Sequence, residues 1–147
     1  MATLCGECGR RAVVPRAVAG RRSLYRNFPS LPIPADLAIP TCANCGAEWV
    51  DGKTAARLDT ALAEAASMTL AAIGKESIEA LGEALTQREL EADLGLSSGY
   101  LSKVKHGKET PSAALAALLS LLAARPGRLE EVRRVWKAGR LPVGCIR

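Results

Sequence analysis

A chain of 147 residues suits one ordinary domain or two small ones, and without a run of about 18 apolar residues a membrane-spanning helix is excluded. The sequence is 48% hydrophobic yet only 3% aromatic, so a core has to be built from Ala, Leu, Val and Ile, which favours packed helices over a sheet sandwich. The net charge of +5 divides into 7 basic and 4 acidic residues up to Lys53 and 13 and 11 beyond it, a balance that permits polyanion binding without demanding it.

Residues 1–53 hold five of the eight prolines (Pro15, Pro29, Pro32, Pro34 and Pro40), too many for long helices. Short strands are expected at 12–18 and around 23–28, with a turn at Gly20-Arg21-Arg22 between them and extended chain over 31–35. Cys5 and Glu7 interrupt any basic-then-apolar leader, so a cytoplasmic location is expected. Thiols stay reduced there, and paired cysteines bind metal more often than they form disulfides.

Cys5-Gly-Glu-Cys8-Gly9 and Cys42-Ala-Asn-Cys45-Gly46 are two copies of one device. In each, a tight turn aims two thiolates at one point, and the glycine lets backbone N–H groups approach the sulfurs. Cys5, Cys8, Cys42 and Cys45 are therefore expected to hold one structural Zn²⁺ per chain, with no open position for catalysis. Redox-active pairs, unrelated buried thiols and an iron centre are the other readings of the same spacing. Zinc also answers an energetic need, because about fifty residues with so few bulky apolar side chains bury little surface. Cys145 has no partner at such spacing and receives no role.

From Lys53 onward the pattern turns helical. Leu58, Ala61, Leu62 and Ala65 follow the i, i+3, i+4, i+7 rule and predict a helix over 54–72, ended by Gly74. A second helix is expected over 76–85, with Ile78, Leu81 and Leu85 inward. Thr86-x-x-Glu89 is a capping box that opens a short helix to Leu94, and Gly95 stops it. Ser97 is the expected N-cap of the next helix, which runs to about His106 and halts at Gly107. Thr110-Pro111 restarts a helix lined by Leu115, Leu118, Leu119 and Leu122. Pro126-Gly127 breaks it before a last helix over 128–137.

The resulting domain organisation is a four-cysteine domain over 1–53, a linking helix over 54–75 and a helical domain over 76–147. Leu90, Leu94, Leu96, Leu101 and Val104 are spaced to close one small core between two short helices. That leaves Ser98, Gly99, Ser102 and Lys103 facing away on a segment able to enter a major groove. Periodicity alone fits an ordinary helical bundle equally well.

The ordered string Gln87, Gly95, Ser97, Gly107 and Pro111 resembles the helix-turn-helix of the phage-repressor (Cro-like, or XRE) family over residues 77–122. The resemblance implies that Ser98, Gly99, Ser102 and Lys103 face bases and that Gln87, Lys108 and Thr110 grip phosphate. Gly99 offers no side chain where family members often place a base reader. Lys105 stands where a Glu is frequent, and adds a basic group beside the DNA backbone.

Knuckle pair, linking helix, helix-turn-helix and the closing Ala-Arg-Pro-Gly-Arg-Leu-Glu-Glu-Val132 together resemble the MqsA (YgiT-type) antitoxin family over nearly the whole chain. This implies a small α+β zinc-ribbon-like domain followed by an all-α helix-turn-helix domain. It also implies a homodimeric repressor on a double-stranded operator, with the zinc domain engaging a toxin protein. A stand-alone zinc-containing regulator of the same architecture is the alternative. An enzyme is not expected: His106 is the only histidine, a tetrathiolate metal has no open position, and no phosphate-cradling glycine loop is present.

Two surfaces are candidates for protein partners. The last helix, with Val132, Val135 and Trp136, either forms the dimer interface or closes the monomer core. Arg21, Arg22, Tyr25, Arg26 and Phe28 mix charge and aromatic character on the strand around 23–28, as interface anchors do. That strand otherwise lies solvated or grips DNA phosphates.

Overall fold

The computed structural model describes residues 2–138. The chain divides into two compact units, Met1–Ser67 and Met68–Arg147. The predictions concerning residues 139–147, Cys145 among them, lie outside the described residues. Among the described residues there are five α-helices, and none is long and apolar enough to cross a membrane.

The first unit contains a three-stranded and a two-stranded antiparallel sheet. Strands β1 (Thr3–Leu4), β2 (Arg11–Arg16) and β5 (Ile39–Cys42) form the first, in the order β1-β2-β5. Its register places Val13 opposite Cys42, so the strand pairing itself delivers the second cysteine pair beside the first. Strands β3 (Arg22–Tyr25) and β4 (Phe28–Pro32) form the second. The single strand expected around 23–28 is thus broken by a tight turn at Arg26-Asn27, where Tyr25 faces Phe28. Arg26 adopts φ 51, the one positive φ outside glycine among the described residues, and no Gly marks the turn in the sequence.

Leu31, Ile33, Leu37 and Ile39 are buried with Leu62 and Ala66 of helix α1 (Gly52–Leu81), and Tyr25, Phe28, Leu58, Ala61 and Ala65 pack around them. The stripe read from periodicity is therefore the face α1 buries in this unit. The Asp51 carboxylate opens the helix by accepting from the Thr54 N–H at 2.7 Å. That hydrogen bond holds the Asp51 carboxyl below its usual pKa.

Helix α1 does not stop at Gly74, and the separate helix expected over 76–85 is its final stretch, 76–81, followed by a turn. A lone glycine costs a helix only about 1 kcal/mol, which packing readily offsets. Its reason lies in the second unit. A Cβ built on Gly74 would stand 2.9 Å from Pro111 Cγ and 3.0 Å from Val104 Cγ1. Glycine is there so that two side chains can approach the helix axis.

The second unit adds α2 (Gln87–Leu94), α3 (Tyr100–Lys105), α4 (Ala113–Ala124) and α5 (Leu129–Lys137), with one 3-10 turn at Pro126–Arg128. Ile78, Leu81, Leu90, Leu101, Val104, Leu119, Leu122 and Leu129 form one buried cluster, with Leu94, Leu96, Leu115 and Val132 against it. Two expected starts are corrected. Helix α3 begins after Gly99, not at a Ser97 cap, for a reason given below. Helix α4 is capped by Ser112, whose hydroxyl accepts from the Leu115 N–H at 3.2 Å, while Pro111 is buried against Gly74 instead of occupying the first helical position.

Candidate metal centre and nucleic-acid interface

The two cysteine turns are copies in geometry as well as in sequence. Cys5 N–H donates to the Arg10 carbonyl and Cys42 N–H to the Ala47 carbonyl, both at 2.8 Å. Gly9 and Gly46 close the turns by donating to the carbonyls of Cys5 and Cys42, both at 2.9 Å. Their φ values of 69 and 77 explain why glycine stands there. The Cys8 N–H points at Cys5 Sγ (3.3 Å) and the Asn44 N–H at Cys42 Sγ (3.4 Å), as the spacing predicts.

All four sulfurs lie within 4.8 Å of one another. Cys5 Sγ is 3.6 Å from Cys45 Sγ, and Cys8 Sγ is 3.7 Å from Cys42 Sγ. Tetrahedral thiolate coordination with metal–sulfur bonds of ~2.3 Å spaces its sulfurs ~3.8 Å apart. A disulfide would bring two of them to ~2.05 Å. The cluster therefore has the dimensions of a metal site, and none of these cysteines is disulfide-bonded.

Its electrostatics point the same way. The backbone N–H of Arg10 and then the neighbouring Cys5 lower the Cys8 thiol to about 6, and the Cys45 backbone lowers Cys42. At Cys45 a hydrogen bond from the Ala47 backbone pulls the pKa down, but burial and the adjacent Cys5, Cys42 and Cys8 outweigh it and push it up to about 12. Four thiolates at this spacing repel one another unless a cation sits between them. Cys5 and Cys42 are 1% exposed, and with Val13 they are the buried residues of their cluster. The local core consists largely of the cysteine side chains, with Ala12, Ala47 and Trp49 packed against them.

In the second unit, the residues assigned to DNA fall around α2 and α3. Ser98, Lys103, Lys108 and Thr110 are exposed, and Gln87, Gly99, Ser102 and Lys105 are half-buried. Gln87 is the first residue of α2, behind the expected capping box: Thr86 Oγ1 accepts from the Glu89 N–H at 3.3 Å, and Glu89 Oε2 accepts from the Thr86 N–H at 2.9 Å. Gly95 ends α2 at φ 66, as predicted. Gly99, at φ 81, is the cap before α3, so the first helical positions belong to Tyr100, Leu101, Ser102 and Lys103. His106 is exposed at the C-cap of α3, its Nδ1 2.7 Å from the Ser102 carbonyl oxygen.

Sequence reasoning missed Glu91. It is 5% exposed and its carboxyl oxygens accept from the N–H groups of Gly99 and Leu101, each at 2.9 Å. This carboxylate takes the place assigned to the Ser97 hydroxyl, and Ser97 contributes only its carbonyl, to the Tyr100 N–H at 3.1 Å. A signal was present: Gln87, Leu90, Glu91 and Leu94 follow the i, i+3, i+4, i+7 rule, which puts a carboxylate at an inward position. Arg133 was missed as well. It bonds Asp93 of α2 at 2.8 Å and Glu130 on its own helix, and both acids raise its pKa further.

The two candidate partner surfaces are placed as follows. Arg21 is drawn into the first unit by Glu48, the Arg16 carbonyl and Thr41. Arg22 is latched to Ser30 by Nε at 2.6 Å, while Tyr25 and Phe28 are half-buried on the apolar cluster. Arg26 is exposed and stacks over the Tyr25 ring with its guanidinium carbon 5.2 Å from the centroid. On α5, Val132 packs into the core, whereas Val135 and Trp136 remain 64% and 63% exposed. The Trp136 indole N–H donates to the Asp93 carbonyl at 2.8 Å. No family model matches this sequence, and no curated protein matches it.

Proposed function

We propose that this chain is a zinc-stapled, sequence-specific DNA-binding repressor that docks α3 of its helix-turn-helix in the major groove of an operator. The observation that carries the reading is the α2–turn–α3 unit. Two short helices share one Leu/Val core and are joined by a turn with glycine at φ 66 on one side and φ 81 on the other. Ser98 stands exposed just before α3 and Lys103 in its last turn, with Lys108 exposed just beyond it. Small polar and basic groups on a short, well-anchored helix suit base edges, and flanking lysines suit phosphates. Zn²⁺ is the metal that fits four thiolates of this spacing, two of them buried, and its role here is structural: Cys5, Cys8, Cys42 and Cys45 would hold it and fold the segment around them.

The protein acts as a homodimer, because one such helix offers few base contacts and a palindrome doubles them, with half-sites about one helical turn apart. As an antitoxin of the MqsA type, it would use the first unit to bind a toxin protein and the second to repress its own operon. A compact cysteine unit that DNA reading does not need supports this over a stand-alone regulator. Selection from a randomised duplex library with the full-length, metal-loaded protein tests the DNA reading. Enrichment of a palindromic sequence is expected, and enrichment of none would refute it.

A further inference from the structure

Glu91 holds the turn between α2 and α3 from both ends. Its backbone carbonyl accepts the Leu96 N–H at 2.8 Å, while the Gly95 N–H reaches Ala92 at 3.2 Å. This pair of bonds is the Schellman closure of α2, with Gly95 in the left-handed conformation that it requires. The side chain of the same residue, one turn of chain later, receives the Gly99 and Leu101 N–H groups on its two oxygens. Between them the Tyr100 N–H is taken by Ser97, so three successive amides at the start of α3 have fixed acceptors.

We infer that Glu91 is the positioning residue for base recognition: it sets where α3 starts and how Ser98, Ser102 and Lys103 are presented, without touching DNA itself. The inference rests on the DNA-binding reading above and deepens it.

Several features support this role over simple stability. Two charge-assisted hydrogen bonds from one carboxylate define an orientation as well as an attachment, because both oxygens and both amides are used. The residue is buried, so water competes poorly for either amide. Helix α3 has six residues and no side-chain cap of its own, so its first turn has little else to fix its direction. Contact with the DNA backbone falls to side chains such as Gln87 and Lys108, and Ser98, Ser102 and Lys103 are left to read bases.

The test uses full-length, metal-loaded protein, the duplex that the wild type enriches from a randomised library, and an unrelated duplex of equal length. Glu91→Gln keeps the size but presents an NH₂ where one amide needs an acceptor. Glu91→Asp keeps the charge but is too short to serve both amides, and stands in if the Gln variant fails to fold. The expected result is a loss of specificity, measured as the ratio of the two affinities, of about tenfold for Gln and less for Asp, the size of one mismatched base pair. Affinity for the unrelated duplex and its salt dependence should stay as in the wild type. Either an unchanged ratio in a folded variant or an equal fall of both affinities would overturn the inference while leaving the DNA reading intact. A wild type that enriches no sequence would remove the DNA reading, and the inference with it.

Discussion

The cysteine sheet of the first unit and the helical second unit are held together by different means. The second has a contiguous cluster in which Leu101 and Leu119 are fully buried and Ile78, Leu81 and Val104 nearly so. The sheet around the cysteines has Val13 and the sulfur-bearing side chains themselves. Apolar burial of about 25 cal/mol per Å² stabilises the helical cluster, and the sheet relies on the metal–sulfur bonds proposed for it. Chelators should therefore act on the cysteine sheet, and truncations of the helical cluster on the second unit.

The largest effect should come from metal removal. Stripping the metal, or Cys42→Ser, forfeits apparent binding energy on the order of 10–16 kcal/mol. The expected outcome is loss of dispersed amide signals from β1, β2 and β5, with those of α2 to α5 retained. Collapse of both halves together would break the comparison. The complementary change is Leu119→Ala, which should cost ~2–5 kcal/mol of unfolding stability in the helical unit and leave one metal per chain by elemental analysis.

Gly74→Ala sharpens the account of the second unit, because propensity and packing oppose each other there. Alanine gains about 1 kcal/mol as a helix former, yet its methyl would press on Pro111 and Val104, and overpacking of this kind costs roughly 1–3 kcal/mol. A lowered melting temperature is expected, and a raised one would show that the neighbours yield freely.

These residues also show what was legible in the sequence. The cysteine spacing, the Thr86 capping box and the stops at Gly95 and Gly107 are local devices, each written within about five positions, and each is found where expected. Gly74 was misread because its reason is Pro111, far away in sequence. Ser97 offered an ordinary local cap, but a buried carboxylate from the preceding helix took the amides instead. The Arg26-Asn27 turn carries no glycine, so the hairpin lacked its usual mark. In each case a partner beyond the local motif decided the outcome.

The smallest effect concerns the capping box. The Thr86 hydroxyl and then its backbone N–H lower the Glu89 pKa. A depressed folded-state pKa gives stability that is present above the ordinary carboxylate range, near 4.3, and is lost as pH falls through the lower folded value. Acid titration of Thr86→Ala should show less of this loss than the wild type, with a stability deficit of ~1 kcal/mol at neutral pH.

The most direct measurement compares Lys103→Ala with Lys108→Ala on the duplex that the wild type selects, recording base preference and salt dependence side by side. Both lysines are exposed, but only Lys103 lies within α3. The account predicts that Lys103→Ala weakens binding and blurs base preference. Lys108→Ala should weaken binding to all sequences alike and flatten the salt slope by about one unit. If neither change alters DNA binding, α3 is not the reading element and the central claim is wrong.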